Sequence, residues 1–273
     1  MSNSKAQIDS LKVGILGVGV MGEALLAGLI AAGVPARNIS FVEKRAERSS
    51  EIVAKFGAQP RDLEDVARDS DLLLLVVKPQ DLGDVLDSCK GQVKSSALLV
   101  SFVAGKSTSF IENRLGGVSS VIRVMPNTPL LIGKGMSVLS AGTNASSQQM
   151  EFITGLLSSS GDVWSVEEEL QDAVTAVSGS GPAYFFAFVE AMVSSGQSLG
   201  LDEQTSTRLA IQTIIGAAGM LQESGKSATT LRENVTSPNG TTAAALKVFT
   251  EGGLAQLVEK AMTAARDRSV ELG

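Results

Sequence analysis

Lys12-Val13-Gly14-Ile15-Leu16-Gly17-Val18-Gly19-Val20-Met21-Gly22-Glu23-Ala24-Leu25-Leu26-Ala27-Gly28-Leu29-Ile30 decides the fold. An apolar run flows into a Gly-x-Gly-x-x-Gly turn, and the residues from Glu23 to Ile30 read as a helix. This is the strand–turn–helix context that a dinucleotide fingerprint requires. In that pattern Gly17 permits the tight turn, Gly19 lets the backbone approach a pyrophosphate and Gly22 lets the helix pack closely on the strand. Val20 and Met21 open the helix, whose free N–H groups and positive dipole end would hold the phosphates. The bland alternative is a plain βα turn.

The pattern continues outward from this turn. Ile39–Val42 reads as a second strand, and Ala46–Phe56 reads as a helix stopped by Gly57. Leu72–Val77 is a near-continuous apolar run, as expected of a strand buried on both faces. Asp81–Cys89 reads as a helix, Ala97–Val103 as another buried strand, and Val118–Met125 as a further strand ended by Pro126. Alternating strands and helices predict a parallel sheet with crossover helices. Past Ser146 the pattern changes to long helical segments: Leu170–Leu199 (interrupted by Gly179, Gly181 and Pro182), a helix capped by Asp202 that reaches Ser224, then Thr229–Val235, Thr241–Thr250 and Leu254–Leu272. The expected organisation is an α/β dinucleotide-binding domain over residues 1–160 and an all-helical domain over 161–273. The region Ala173–Val193 carries little charge, which predicts burial against a second subunit.

Composition narrows the chemistry. The chain has 273 residues, is 44% apolar and carries a net charge of −6, with acids and bases interspersed, so a basic nucleic-acid stripe is absent. Its one cysteine, Cys89, leaves no internal disulfide or Cys-rich metal site and suits a reducing cytoplasm. Met1–Ser10 is polar, without the apolar centre of a signal peptide, and the apolar runs are too short or interrupted to span a membrane. There is no histidine. That removes the commonest general acid–base and the commonest metal ligand, so no metal site is expected. Hydride transfer suits this restriction, because a cofactor carries the hard step.

Several strand ends present candidate contacts. Glu43 follows the second strand at about 20 residues past Gly22, where an acid bonds ribose hydroxyls and favours NAD. Lys44 and Arg45 come next and suit a 2′-phosphate, which tips the expectation toward NADPH over NADH. Val77-Lys78-Pro79-Gln80 ends a buried strand at the carboxyl edge of the sheet, where ligands of open α/β sheets bind. Ala104-Gly105 ends the next, with small residues that would admit a nicotinamide ring. Asn127 and Thr128, between Pro126 and Pro129, make a stiff loop with polar side chains on display, or a plain structural turn. Two further segments stand out in the helical half. Val177-Ser178-Gly179-Ser180-Gly181-Pro182-Ala183-Tyr184 places helix breakers in an apolar region and predicts a bend or close backbone packing. Val235-Thr236-Ser237-Pro238-Asn239-Gly240-Thr241-Thr242-Ala243 sets hydroxyls around a helix start, a ready carboxylate site or an ordinary N-cap.

Five of these segments, Gly17–Gly22, Val77–Gln80, Arg123–Thr128, Ala176–Tyr184 and Val235–Ala243, stand in an order that resembles the Δ1-pyrroline-5-carboxylate reductase family over nearly the whole chain. The resemblance implies an N-terminal Rossmann domain, a C-terminal all-helical dimerisation domain, and reduction of the cyclic imine to L-proline by NADPH or NADH. It implies a homodimer whose pairs associate further into rings. It maps the substrate loop onto Ser237, Asn239, Gly240, Thr241 and Thr242. The catalytic hydroxyl beside the substrate nitrogen falls on Thr242, and backbone N–H groups around Gly240 and Thr241 hold the carboxylate. It also counts Asn127 among the cofactor contacts. Two departures are visible: Asn239 stands where the family usually has a glycine, and Glu43 where NADPH-preferring relatives often carry a neutral polar residue. Asn tolerates left-handed backbone angles better than most residues. The rival is another Rossmann imine or β-hydroxyacid dehydrogenase. The hydroxyacid enzymes use a lysine of the helical domain, and none lies between Val163 and Gly225.

Overall fold

A computed structural model of the chain describes residues 2–117 and 119–273; Val118, the expected start of one strand, and Met1 lie outside the described residues. The chain divides into two compact units, one holding the residues up to Ser180 together with Ala265–Gly273, the other Gly181–Ala264.

The first unit is built on an eight-stranded sheet. In chain order it runs α1 (Ser2–Ser10), β1 (Val13–Leu16), α2 (Val20–Ala31), β2 (Ile39–Val42), α3 (Ala46–Phe56), β3 (Gln59–Pro60), α4 (Leu63–Asp69), β4 (Leu72–Leu75), α5 (Leu82–Cys89), β5 (Leu98–Ser101), α6 (Thr108–Leu115), β6 (Ser120–Met125), β7 (Gly135–Ala141), α7 (Ser147–Leu157), β8 (Gly161–Ser165) and α8 (Gln171–Val174). The strand order is β3-β2-β1-β4-β5-β6-β7-β8. The first six strands are parallel, and β7 and β8 run the other way. The chain order reverses direction across the sheet at β1 and β4, which makes their carboxyl ends the switch point where such sheets take ligands.

The four leucines of β4 show why the run is unbroken. Side chains alternate across a strand. Leu72 and Leu74 enter one core with Ile15, Phe41, Leu26 of α2 and Ile52 of α3, while Leu73 and Leu75 enter a second core with Val66 of α4, Leu86 of α5 and Ile111 of α6. Burial on both faces demands apolar residues at every position.

Punctuation is local. Gly57 ends α3 at φ 72° and Gly116 ends α6 at φ 92°, left-handed angles that cost glycine little. Ser107 caps α6, and Ser146 with Gln149 forms a capping box on α7.

The second unit holds α9 (Gly181–Ser198), α10 (Glu203–Glu223), α11 (Ala228–Asn234), α12 (Thr241–Glu251) and the first part of α13 (Leu254–Leu272). Asp202 caps α10 through the Thr205 N–H at 2.8 Å. Within α9 and α10 only Gly181, Ser206 and Ala210 are buried, and α11 and α12 bury none. Phe185, Phe186, Leu209, Ile215, Val248 and Leu257 are all more than half exposed. A helical unit with so much uncovered apolar surface needs a partner surface to complete its core.

The expected elements at Ile39–Val42, Ala46–Phe56 and Leu254–Leu272 form over those residues, and the strand expected from Val118 forms over Ser120–Met125. The strands expected over Leu72–Val77 and Ala97–Val103 are shorter, because Val76 and Phe102 each make a last ladder bond, to Leu16 and Leu75, and the chain then turns. β7 and β8 were not legible: β7 starts on a glycine and breaks its apolar residues with two serines, and β8 is a half-exposed edge strand without an apolar run.

Candidate active site

The glycine turn after β1 shows a separate reason for each glycine. Gly17 lies at φ 97°, its N–H donates to the Val42 carbonyl at 3.0 Å, and a Cβ on it would stand 2.8 Å from the Val76 carbonyl oxygen. A Cβ on Gly22 would stand 2.1 Å from the Gly17 oxygen, so the helix lies directly against its own entry turn. Gly19 is different: a Cβ there would meet nothing within 4 Å. The protein leaves that space open, which suits the approach of a ligand's pyrophosphate. Gly19 is the N-cap of α2 and supplies no side-chain cap. Val20, at 69% exposure, stands at the same mouth, while Met21 is half buried against the core. Beside the turn, on the side of α3, an open groove of about 760 Å³ is lined by Val20, Arg45, Arg48 and Lys55; the N–H groups that would meet a phosphate belong to the open space at Gly19. The turn therefore fits a dinucleotide phosphate.

At the end of β2 the acid and the bases are bound to each other. Glu43 accepts from the Arg45 backbone N–H and from Arg45 Nε, both at 3.0 Å, and its other oxygen lies 3.4 Å from Arg45 Nη2. Burial pushes the Glu43 carboxyl up, but the hydrogen bonds from Arg45 outweigh it and hold the group below the usual carboxylate range. Arg45 and Lys44 remain exposed.

Other candidates from the strand ends fall into two kinds. Val77 is half buried, Lys78 and Gln80 are exposed, and Pro79 opens a short 3₁₀ turn a few residues past the end of β4. Ala104 is half buried, but Gly105 is enclosed. It lies at φ 74°, and a Cβ on it would stand 2.6 Å from Leu272 Cβ and 2.8 Å from the Ser269 carbonyl. Its small size serves packing against the end of α13, which Lys106 also ties down through the Gly273 carbonyl at 2.7 Å. Asn127 is a latch: its Nδ2 donates to the Ser178 carbonyl at 3.1 Å and its Oδ1 accepts from the Met136 N–H at 2.9 Å. Each end keeps capacity for one more hydrogen bond. The Ser178 carbonyl belongs to a π-helical turn, Thr175–Gly179, where a Cβ on Gly179 would stand 2.4 Å from Met125 Cε. Here the Gly-Ser-Gly-Pro segment produces the bend and the close packing that its composition predicts.

The second unit holds the hydroxyl-rich loop. Asn239 adopts φ 59°, the one positive φ among the described non-glycine residues, so the position where the resemblance implies a glycine has a glycine-like conformation. The Gly240 N–H donates to the Ser237 carbonyl at 3.0 Å, and a Cβ on Gly240 would stand 2.3 Å from Ser237 Oγ. Gly240 is the N-cap of α12 and has no side chain to satisfy the first turn. The N–H groups of Thr241 and Thr242 therefore point out of the helix start without an intrahelical acceptor. Of the two amides expected to hold a carboxylate, that of Gly240 is already used by the loop, and that of Thr241 is free. Thr242 is half buried and Thr241 exposed, and neither hydroxyl has a hydrogen-bond partner among the described residues.

Two side chains take parts that the sequence did not assign, Arg123 having been marked only as the start of the Arg123–Thr128 strand end. Arg123 is buried on β6 and pairs with Glu168 at 2.9 Å, and Arg48 on α3 bonds the glycine turn from behind. Arg48 precedes the buried Ile52 by one helical turn, so it shares the inward face of α3; that spacing was the available signal. Among the described residues no group of three or more His, Cys, Asp or Glu side chains is arranged to hold a metal. Cys89 is buried, which pushes its thiol up to about 11.

Comparison with known proteins agrees with both halves. Residues 168–272 match the family described as pyrroline-5-carboxylate reductase dimerisation, and residues 12–105 match that described as NADP oxidoreductase, coenzyme F420-dependent. The chain is 43% identical over 242 residues to pyrroline-5-carboxylate reductase of Pseudomonas aeruginosa, covering 88% of each chain. It is 40% identical over 241 residues to that of Corynebacterium melassecola, covering 87% of this chain and 89% of the other. The crystal structure of Plasmodium falciparum pyrroline carboxylate reductase with NADP bound superposes with a TM-score of 0.88 at 30% identity, covering 97% of this chain and 99% of that one. With relatives this similar along this much of its length, the chain belongs to the pyrroline-5-carboxylate reductase family.

Proposed function

We propose that this chain reduces Δ1-pyrroline-5-carboxylate to L-proline with NAD(P)H as hydride donor. The observation that carries the reading is the Ser237–Thr242 loop. Asn239 is held in the left-handed region, Gly240 starts α12 uncapped, and two free N–H groups stand beside the free hydroxyl of Thr242. The amides of Thr241 and Thr242, at the positive end of α12, bind the substrate carboxylate. Thr242 Oγ1 then accepts from the protonated ring nitrogen and fixes which face of the imine is presented. Ser237 and Asn239 shape the loop under that helix start.

A bound reduced nicotinamide supplies the hydride. Gly17, Gly19, Val20, Met21 and Gly22 form the phosphate-binding turn. Val77, Lys78, Pro79, Gln80, Ala104 and Asn127 line the carboxyl edge of the sheet, with Gly105 packing behind them. A protonated imine is already electrophilic, so a chain without histidine loses nothing by lacking a strong acid. Cofactor duty falls to residues 1–160, substrate binding and dimerisation to 161–273.

NADPH is favoured over NADH, but modestly. A 2′-phosphate meets exposed Lys44 and Arg45, yet Arg45 is already engaged by Glu43. Exposed ion pairs contribute about 0–1 kcal/mol, so the preference stays below about tenfold. The helical unit closes its apolar faces in a homodimer, and dimers associate into the ring that the resemblance implies. No helix among the described residues is long and apolar enough to cross a membrane, in keeping with a cytoplasmic enzyme.

The test is nicotinamide oxidation by the purified protein with pyrroline-5-carboxylate, NADPH and NADH run side by side. Rapid turnover with kcat/KM somewhat higher for NADPH is the expected result. A folded protein that binds either dinucleotide but oxidises neither in the presence of the imine would overturn it.

A further inference from the structure

We infer that Arg48 is a positioning residue for the dinucleotide: from behind the glycine turn it fixes the direction of the N–H groups that meet the pyrophosphate. The inference rests on the assignment of Gly17–Gly22 to the cofactor.

The geometry is specific. Arg48 lies on α3, its side chain only 20% exposed. Its Nε donates to the Val18 carbonyl at 3.0 Å, and its Nη2 reaches the Gly19 carbonyl at 3.5 Å. The same Nη2 pairs with Glu23 in the first turn of α2, and Nη1 donates to Glu51 at 3.0 Å. Lys55 also holds Glu23, at 2.8 Å. A trans peptide unit is planar, with its C=O and the following N–H pointing in opposite directions. The Val18 carbonyl and the Gly19 N–H share one such unit, and the Gly19 carbonyl and the Val20 N–H share the next. Drawing both carbonyls toward α3 turns the two N–H groups away from it. Neither of these N–H groups has an acceptor among the described residues, and a Cβ on Gly19 would enter open space.

The Gly19 carbonyl has a second restraint, the Glu23 N–H of α2 at 2.9 Å. The Val18 carbonyl has no other described partner, so the Gly19 N–H depends on Arg48 alone. Two carboxylates and two carbonyls occupy four of its five N–H groups, so nearly all of its donor capacity is spent on the protein itself.

The experiment is fluorescence titration of the intact protein, wild type, Arg48→Met and Arg48→Lys, with NADH and with NADPH, alongside thermal unfolding without ligand and steady-state kinetics. Loss of a charge-assisted hydrogen bond predicts that Arg48→Met raises Kd for both dinucleotides by a common factor of about tenfold. The kinetic loss should reside in the cofactor KM rather than in kcat. Arg48→Lys, which keeps the charge but lacks the planar fork, should show a smaller rise, again equal for the two; it carries the test if Arg48→Met does not fold. Weakened NADPH with unchanged NADH would assign Arg48 to the 2′-phosphate and overturn the inference. A lower unfolding temperature with both Kd values unchanged would reduce it to a structural tie and overturn it too. Failure of the wild type to bind either dinucleotide would instead remove the cofactor assignment beneath it.

Discussion

The helices α2 and α12 both start on a glycine that offers no side-chain cap, yet they are held in opposite ways. The α2 turn is set by the fold around it. The Val42 and Val76 carbonyls border Gly17, Gly22 lies against the Gly17 oxygen, and Arg48 grips the turn from α3. The α12 turn is set by its own few residues: Ser237 closes on Gly240, and Asn239 takes the left-handed angle between them. At α6, α7, α10 and α11 the chain spends a side chain on the same job, through Ser107, Ser146, Asp202 and Ser227, while α3, α4 and α5 have capping residues with side chains that make no cap bond. A helix start that begins on glycine forgoes the stability of a side-chain cap and leaves its N–H groups to water or to a ligand. The contrast teaches where each half is vulnerable: the cofactor turn through its neighbours, the substrate loop through its own sequence.

The strongest challenge to that contrast is Gly22→Ala. With 2.1 Å between the new Cβ and the Gly17 oxygen, the helix must back away from its strand. Overpacking of this kind costs about 1–3 kcal/mol or more. Denaturant unfolding should register that loss, and the Kd for NADPH should rise more than about tenfold. Unchanged stability and affinity would mean that the turn yields freely and is not set by the fold.

A middle-sized effect is expected at Asn239. Forcing a β-branched residue to φ 59° costs about 1–2 kcal/mol, so Asn239→Val should raise KM for the imino acid about fivefold or more while leaving dinucleotide Kd alone. Asn239→Gly should stay close to wild type, since glycine takes that angle freely. Equal kinetics for Val and Gly would show that the loop is not governed locally.

The smallest effect concerns pH. Hydrogen bonds from Lys55 and Arg48 hold the Glu23 carboxyl below its ordinary value of 4.5. A depressed folded-state value favours the charged form, so the contribution is present above pH 4.5 and is lost as pH falls through the lower folded value. The pair is partly exposed, so the contribution is at most about 1 kcal/mol. The stability gap between wild type and Glu23→Gln, measured by urea unfolding, should be largest near neutral pH and close below pH 4.5. A gap that persists into acid would show that Glu23 acts through packing instead.

How much was legible follows the same division. The glycine turn, the buried strands and the α12 loop announce themselves because each needs a residue type that few others can replace: glycine at a contact, leucine on both faces, Asn or Gly at a left-handed angle. β7 and β8 did not, since a reversed pair at the sheet edge imposes only weak patterning. The work of Gly105, Asn127 and Arg48 was hidden for another reason. Each makes contacts across long stretches of chain, with Leu272, Ser178 and Val18 respectively, and spacing alone does not reveal which partner a polar side chain will find.

The division of labour itself is tested most directly by Thr242→Ala, in steady-state kinetics with saturating NADPH and varied pyrroline-5-carboxylate, beside a dinucleotide titration. Loss of a hydrogen bond to a charged group corresponds to about 1.5–3 kcal/mol, which predicts a fall in turnover of about 10- to 100-fold with unchanged dinucleotide Kd and unfolding temperature. Unchanged kcat and KM would contradict the account and remove Thr242, and with it the α12 start, from the chemistry.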